Sequence, residues 1–148
     1  MKLIRDVISE KSLQRLISVE PTAPLVDAAR LMALWNVGAL LVLDEGRLVG
    51  VLSERDFVRA AAVAIAEPVA GKCVEDVMAR DVRLVPGTLT TDECMMLMTH
   101  LRLRHLPVTD AGDVIGIVSI GDLMKDVVGE QAFVIEQLER YITRAPNA

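Results

Sequence analysis

A chain of 148 residues fits one compact domain or two small repeats sharing a core. Apolar residues make up 52% of it and aromatics only 3%, so that core is built from Val, Leu, Ile, Ala and Met. A formal net charge of −5 argues against a broad nucleic-acid surface, which needs clustered Lys and Arg, but leaves room for one local basic pocket.

From the N-terminus, Asp6 interrupts the chain before any apolar run develops, so no secretion signal is expected. A short lead-in at Ile4–Ile8 enters a first unit. That unit opens with a strand at Leu16–Val19, which ends in the turn Glu20-Pro21-Thr22. The apolar positions Leu25, Ala28, Ala29, Met32 and Trp35 fall at helical spacing and predict a helix over Leu25–Trp35. Two strands follow, Ala39–Leu43 and Leu48–Leu52. The Asp44-Glu45-Gly46-Arg47 turn between them suits a tight hairpin. A second helix begins at Glu54. The apolar stretches Ala39–Leu43 and Ala60–Ala66 are too short to span a bilayer, so the expectation is a soluble cytoplasmic protein without a membrane partner.

The same order then repeats. Slid against itself by 66 residues, the chain needs no gap from residue 19 to residue 59. Val19 meets Val85, Thr22 meets Thr88, and Leu31-Met32 meets Leu97-Met98. Asp44, Gly46, Gly50, Ser53 and Asp56 meet Asp110, Gly112, Gly116, Ser119 and Asp122. The second unit is entered by a short helix at Val74–Met78. It runs through a strand at Val82–Val85, a helix over Thr91–Leu101, strands at His105–Thr109 and Val114–Val118, and a helix from Ile120. Pro107 lacks a donor, so its strand is expected to be an edge or to be paired on its other side there. The expected organisation is a first repeat over 1–66, a linker over 67–73, a second repeat over 74–128, and a C-terminal helix and tail over 129–148. Phe133, Gln137, Leu138, Tyr141 and Ile142 form a stripe on that last helix, with a frayed end after it. The fold class is α/β (α+β), β-α-β-β-α twice. Cys73 and Cys94 are too few for a disulfide framework and read as small hydrophobes.

Two runs resemble the Gly-h-x-Ser/Thr-x-x-Asp signature of cystathionine β-synthase (CBS) domains: Gly50-Val51-Leu52-Ser53-Glu54-Arg55-Asp56 and Gly116-Ile117-Val118-Ser119-Ile120-Gly121-Asp122. Asn36–Val42 and Arg102–Val108 are similar to that family's second-strand segments. The resemblance covers about residues 3–128, and the last helix is similar to the extension of stand-alone bacterial CBS pairs. It implies a pseudo-twofold pair with two clefts that bind adenosine compounds such as AMP, ADP, ATP, NAD or S-adenosylmethionine. Carried onto this chain, the first cleft uses Thr22, Val37, Gly38 and Ala39 with Ser119, Gly121 and Asp122. The second uses Thr88, Leu103, Arg104 and His105 with Ser53, Arg55 and Asp56.

The signature also makes chemical sense by itself. A strand that ends in Ser and turns into a helix aims free backbone N–H groups at a phosphate. An ionised Asp one turn on is acceptor-only and suits the hydroxyls of a ribose. Each feature has a plainer reading. Ser53-x-x-Asp56 and Ser119-x-x-Asp122 are capping-box patterns. Thr22 and Thr88 suit caps for the helices after them, and Gly50 and Gly116 suit relief of crowding. His105 suits a packed strand position, and Arg102 and Arg104 a solvated face. The second cleft has Arg55 and Arg104, with Arg102 near, where the matching positions of the first are Gly121, Gly38 and Asn36, so the second is expected to favour the more highly charged ligand. No catalytic set, P-loop or metal motif is visible. Two functions remain open: a non-catalytic nucleotide sensor read by an unknown downstream protein, and a structural or dimerisation module with vestigial clefts. Both expect a homo-oligomer, most simply a homodimer.

Overall fold

The computed structural model describes residues 2–11, 17–63, 69–129 and 132–142, with the side chains of 132–135 left aside. Six α-helices and six strands are found among them: α1 (Ile4–Ser9), β1 (Ser18–Val19), α2 (Leu25–Trp35), β2 (Ala39–Asp44), β3 (Arg47–Ser53) and α3 (Glu54–Val63), then β4 (Val85–Pro86), α4 (Thr91–Leu101), β5 (His105–Asp110), β6 (Asp113–Ser119), α5 (Ile120–Gly129) and α6 (Ala132–Tyr141). Two 3-10 turns, Val69–Gly71 and Val74–Asp76, lie between the halves. Each half builds one three-stranded sheet, ordered β1-β2-β3 or β4-β5-β6. Its first two strands are parallel and its last two antiparallel. The expected order, β-α-β-β-α twice, is therefore present.

The local signals worked where the chain is locally determined. α2 and α4 have the boundaries their apolar spacing predicts. Both end in a left-handed residue, Asn36 (φ 53°) and Arg102 (φ 57°). The next amide turns back onto the helix, from Val37 N to Met32 O and from Leu103 N to Met98 O, each 3.0 Å. The hairpins carry positive φ at both central residues, Glu45 and Gly46 (49° and 81°) and Ala111 and Gly112 (50° and 85°). Such turns match the right-handed twist of the strands they join.

β4 is shorter than predicted, for a reason visible at Pro107. In the first half the Leu41 amide donates to the Ile17 carbonyl at 3.3 Å, just before β1. Pro107 stands at the matching place and has no N–H, so β4 begins only at Val85 rather than Val82. Pro107 thus sits in a central strand, with its missing donor facing the short first strand. Leu16, Glu67, Pro68 and the expected frayed end at 143–148 lie outside the described residues.

The lead-ins are exchanged. α1 precedes the first half, yet Ile4, Val7 and Ile8 are buried in a core with Val85, Cys94, Met98, Leu106, Val108, Val118 and Leu123 of the second. Val74 and Met78 precede the second half and are buried with Leu25, Met32, Leu40, Val42 and Leu52 of the first. The hydrogen bonds match pair by pair. Ile4 N donates to Leu89 O and Val74 N to Ala23 O, while Arg5 N donates to Gly87 O and Glu75 N to Pro21 O, all at 2.8–3.0 Å. This reciprocity is a twofold-like relation, in which each lead-in packs on the half it does not enter. It also explains the glycines of the signature. A Cβ on Gly50 would lie 2.6 Å from Met78 Sδ and 2.9 Å from the Ala79 carbonyl, and one on Gly116 would lie 3.1 Å from Ile8 Cγ2.

The exchange predicts where a distant truncation is felt. Ile4 is fully buried. Ile4→Ala is expected to cost about 2–5 kcal/mol, read as a lower urea midpoint. Native-state hydrogen exchange should show the loss first in β5 and β6 rather than in β2 and β3.

Candidate functional site

Strand alternation sets the clefts. In β2, Leu40 and Val42 point into their own half's core, while Ala39 and Leu41, also buried, point toward the other half. The outward faces of the two sheets enclose two cavities, of about 620 Å³ and about 410 Å³.

The first cavity brings together Val37, Gly38 and Ala39 of one half with Ser119 and Asp122 of the other. The second brings Leu103, Arg104 and His105 together with Ser53, Arg55 and Asp56. Three expected residues are elsewhere. Thr22 and Thr88 sit exposed in the turns after β1 and β4 and line neither cavity. They are not helix caps either. The N-cap of α4 is Thr90, whose hydroxyl accepts from the Glu93 amide at 3.2 Å, and that of α2 is Pro24. Gly121 is exposed on α5 and does not line the first cavity.

Both signatures form the caps that the sequence pattern allows. The Ser53 amide and hydroxyl donate to Asp56 Oδ2 at 2.8 and 3.1 Å. At α5 the cap is reciprocal: the Ser119 amide donates to Asp122 Oδ2 at 2.8 Å, and the Asp122 amide to Ser119 Oγ at 3.1 Å. In both carboxylates the Oδ1 atom keeps its acceptor capacity. The first amides of the helices return to the cleft segments, Glu54 N to Gly38 O at 3.0 Å and Ile120 N to Arg104 O at 2.9 Å. Each signature is thereby tied to the strand start of its own half.

Charge divides the cavities, though not simply by presence and absence. The second has five arginines (Arg55, Arg59, Arg83, Arg102 and Arg104) against the acids Glu54, Asp56 and Asp81. Of these arginines only Arg83 makes an ion pair among the described residues, with Asp81 at 3.5 Å. The first cavity is not devoid of cations, as its matching positions suggested. Lys2, Lys11 and Lys125 line it, balanced by Glu10, Asp122 and Asp126. Lys2 pairs with Glu10 (2.7 Å) and Asp126 (3.3 Å), and Lys11 with Asp122 (2.8 Å). Lys2 and Lys11 arrive through the exchanged lead-in, so no pattern within the repeat signals them. Burial pushes the Asp122 carboxyl up, but the Lys11 ammonium and the Ser119 donors outweigh it and hold the group below the usual aspartate value.

His105 lines both cavities. Its ring lies so close over Gly38 that a Cβ there would meet Nε2 at 3.0 Å. Burial lowers its pKa below the ordinary 6.5. Glu54 and Asp122 oppose that shift, and Lys11 and Arg104 reinforce it. Cys94 is buried and its thiol is pushed up to about 11, so it packs as a hydrophobe. Among the described residues no three His, Cys, Asp or Glu side chains gather as metal ligands, and no helix is long and apolar enough to cross a membrane.

The sequence and the fold both have relatives. The family model of the CBS domain matches residues 4–63 and 74–129. CBSX3, a mitochondrial CBS domain-containing protein of Arabidopsis thaliana, is 38% identical over 121 residues, covering 78% of this chain. The chain spans only 58% of the length of that relative. The solved structure of a signal-transduction protein with CBS domains from Burkholderia ambifaria MC40-6 is similar with 40% identity and a TM-score of 0.80, covering 88% of this chain and 96% of that one. The structure of CBSX2 in complex with AMP is similar with 27% identity and a TM-score of 0.69, covering 88% of this chain and 99% of that one.

The neutral ring of His105 carries a pH signature. The unfolded chain takes up a proton near the ordinary 6.5, while the folded ring resists it until lower pH. Stability is therefore full above that value and declines as pH falls below it. The melting temperature is expected to drop between pH 7.5 and 5.5, and His105→Gln should flatten that drop in calorimetry.

Proposed function

The chain belongs to the CBS domain family, and from that premise we propose that it is a non-catalytic regulatory module that takes an adenosine-containing nucleotide between its two halves. One observation carries this reading. Each cavity joins the strand-start segment of one half to the Ser-x-x-Asp turn of the other. The first segment offers backbone edges and an apolar slot to adenine. The second offers a serine hydroxyl at a helix N-terminus to phosphate and a free carboxylate oxygen to ribose. The similarity to CBSX2, whose structure holds AMP, supports a ligand of this class. Trp35 beside the first cavity adds an aromatic face for a base.

The unpaired arginines of the second cavity favour ligands with more phosphate charge there, such as ADP, ATP or NAD. Because the ligand touches both halves, it binds one relative orientation of them better than another, and a partner protein reads the difference. A second reading rests on a separate observation. Leu34, Met96, Met124, Leu138 and Tyr141 are more than half exposed. A module whose main role is dimerisation would cover such side chains against a second copy.

Ligand-dependent melting separates the two. A nucleotide at ten times its Kd adds about 1.4 kcal/mol, roughly 3–6 °C for a chain of this size. The sensor reading expects that shift with AMP, ATP or NAD and its loss in the double variant Asp56→Ala/Asp122→Ala. No shift with any of them at millimolar concentration favours the dimerisation module.

A further inference from the structure

The two aspartates of the signatures are held differently, and the difference bears on which ligand each cavity admits. Oδ2 of each accepts two hydrogen bonds. On Asp56 both come from Ser53, its amide and its hydroxyl. On Asp122 one comes from the Ser119 amide and the other from the Lys11 ammonium, at 2.8 Å. The same ammonium also donates to the Ile117 carbonyl at 2.9 Å. Lys11 is therefore bound at two points across the floor of the first cavity, and both it and Asp122 are largely covered, at 30% and 17% exposed.

This arrangement has no counterpart across the twofold-like relation. The matched bonds pair Leu3 with Cys73, Ile4 with Val74 and Ile8 with Met78. The same spacing matches Lys11 with Asp81, an acid that lines the second cavity, and among the described residues no ammonium pairs with Asp56. At the edge strand the asymmetry is equally clear. The Val51 carbonyl is satisfied by the Ala79 amide at 2.9 Å, whereas the matching Ile117 carbonyl is satisfied by the Lys11 side chain.

A ribose diol that docks on both oxygens of a carboxylate needs a lone pair on Oδ2. In the second cavity the Ser53 hydroxyl rotates away to release it, and no ion pair is lost. In the first, Lys11 itself must leave. A ligand with a phosphate gives that ammonium a new anion, while a bare nucleoside breaks the pair and offers nothing in return. Resting on the nucleotide reading above, we infer that Lys11 is the specificity-determining residue of the first cavity, making it select phosphorylated adenosine ligands over adenosine. The second cavity owes its preference for phosphate to its arginines and is open to the nucleoside at lower cost.

Titration calorimetry with AMP and with adenosine tests this, in the full chain with the second cavity disabled by Asp56→Ala. With Lys11 present, AMP is expected to bind about tenfold or more tighter than adenosine, the scale of one charged hydrogen bond. Lys11→Met should tighten adenosine and weaken AMP, so that the ratio collapses toward one. Lys11→Arg should keep the ratio, which separates charge from packing and controls for folding. An unchanged ratio in a folded Lys11→Met protein overturns the inference. So does loss of AMP binding in Asp56→Ala alone when the unmodified chain binds it, a result that leaves the nucleotide reading standing through the second cavity. If the unmodified chain binds no AMP the inference falls, and if it binds neither ATP nor NAD as well the nucleotide reading falls with it.

Discussion

Each hydrophobic core in this chain is completed by a segment that belongs, in chain order, to the other half. A three-stranded sheet with two short helices exposes one apolar face too wide for those helices to cover. Ile4, Val7 and Ile8 close that face for the second half, and Val74 and Met78 close it for the first. Neither half is therefore a finished domain. The exchange holds the two sheets against each other, and the cavities are the space left between their outward faces. Gly50 and Gly116 follow from the same constraint, because the incoming segments lie where a Cβ would stand. A glycine that reads as part of a binding signature is first a condition for assembling the pair.

This origin accounts for what was legible in the sequence. The period of α2 and α4, the hairpin turns at Gly46 and Gly112, and the starts of α3 and α5 are local properties, and local patterns report them well. The in-register repeat adds the relation between the halves. Whatever depends on the exchange was not legible, because nothing near Lys11 in sequence points to Asp122. The two threonines stand apart for a different reason. Thr22 and Thr88 match across the repeat and have suitable chemistry, but they sit exposed in turns that line neither cavity. Identity between copies marks what the fold repeats, and a turn is repeated as faithfully as a site.

Capping and binding are compatible at the same residues. The Ser-x-x-Asp turns are satisfied as helix caps, with Oδ2 occupied and Oδ1 open. A cap already places the carboxylate at a helix start, beside amides that favour an anion. A ligand then exchanges partners within a preformed geometry and does not need to order a loop. On the proposed nucleotide reading, the cost of binding is set by what must be displaced, which is a neutral hydroxyl at Asp56 and an ammonium at Asp122.

On that reading the two cavities are unequal sites. The cavities also share a wall, since Gly38 and His105 line both. At the matching positions the first half has Gly38-Ala39 and the second has Arg104-His105, so the larger residues of one half fill the space that the smaller ones leave. The His105 ring rests on Gly38 with no room for a methyl between them. A ligand that moves the residue 37–39 segment in the first cavity must therefore move a side chain that faces the second. The Lys11 ammonium and the Arg104 guanidinium both act on that ring. An anion in either cavity would therefore act on the same imidazole, the one titratable ring that both cavities share.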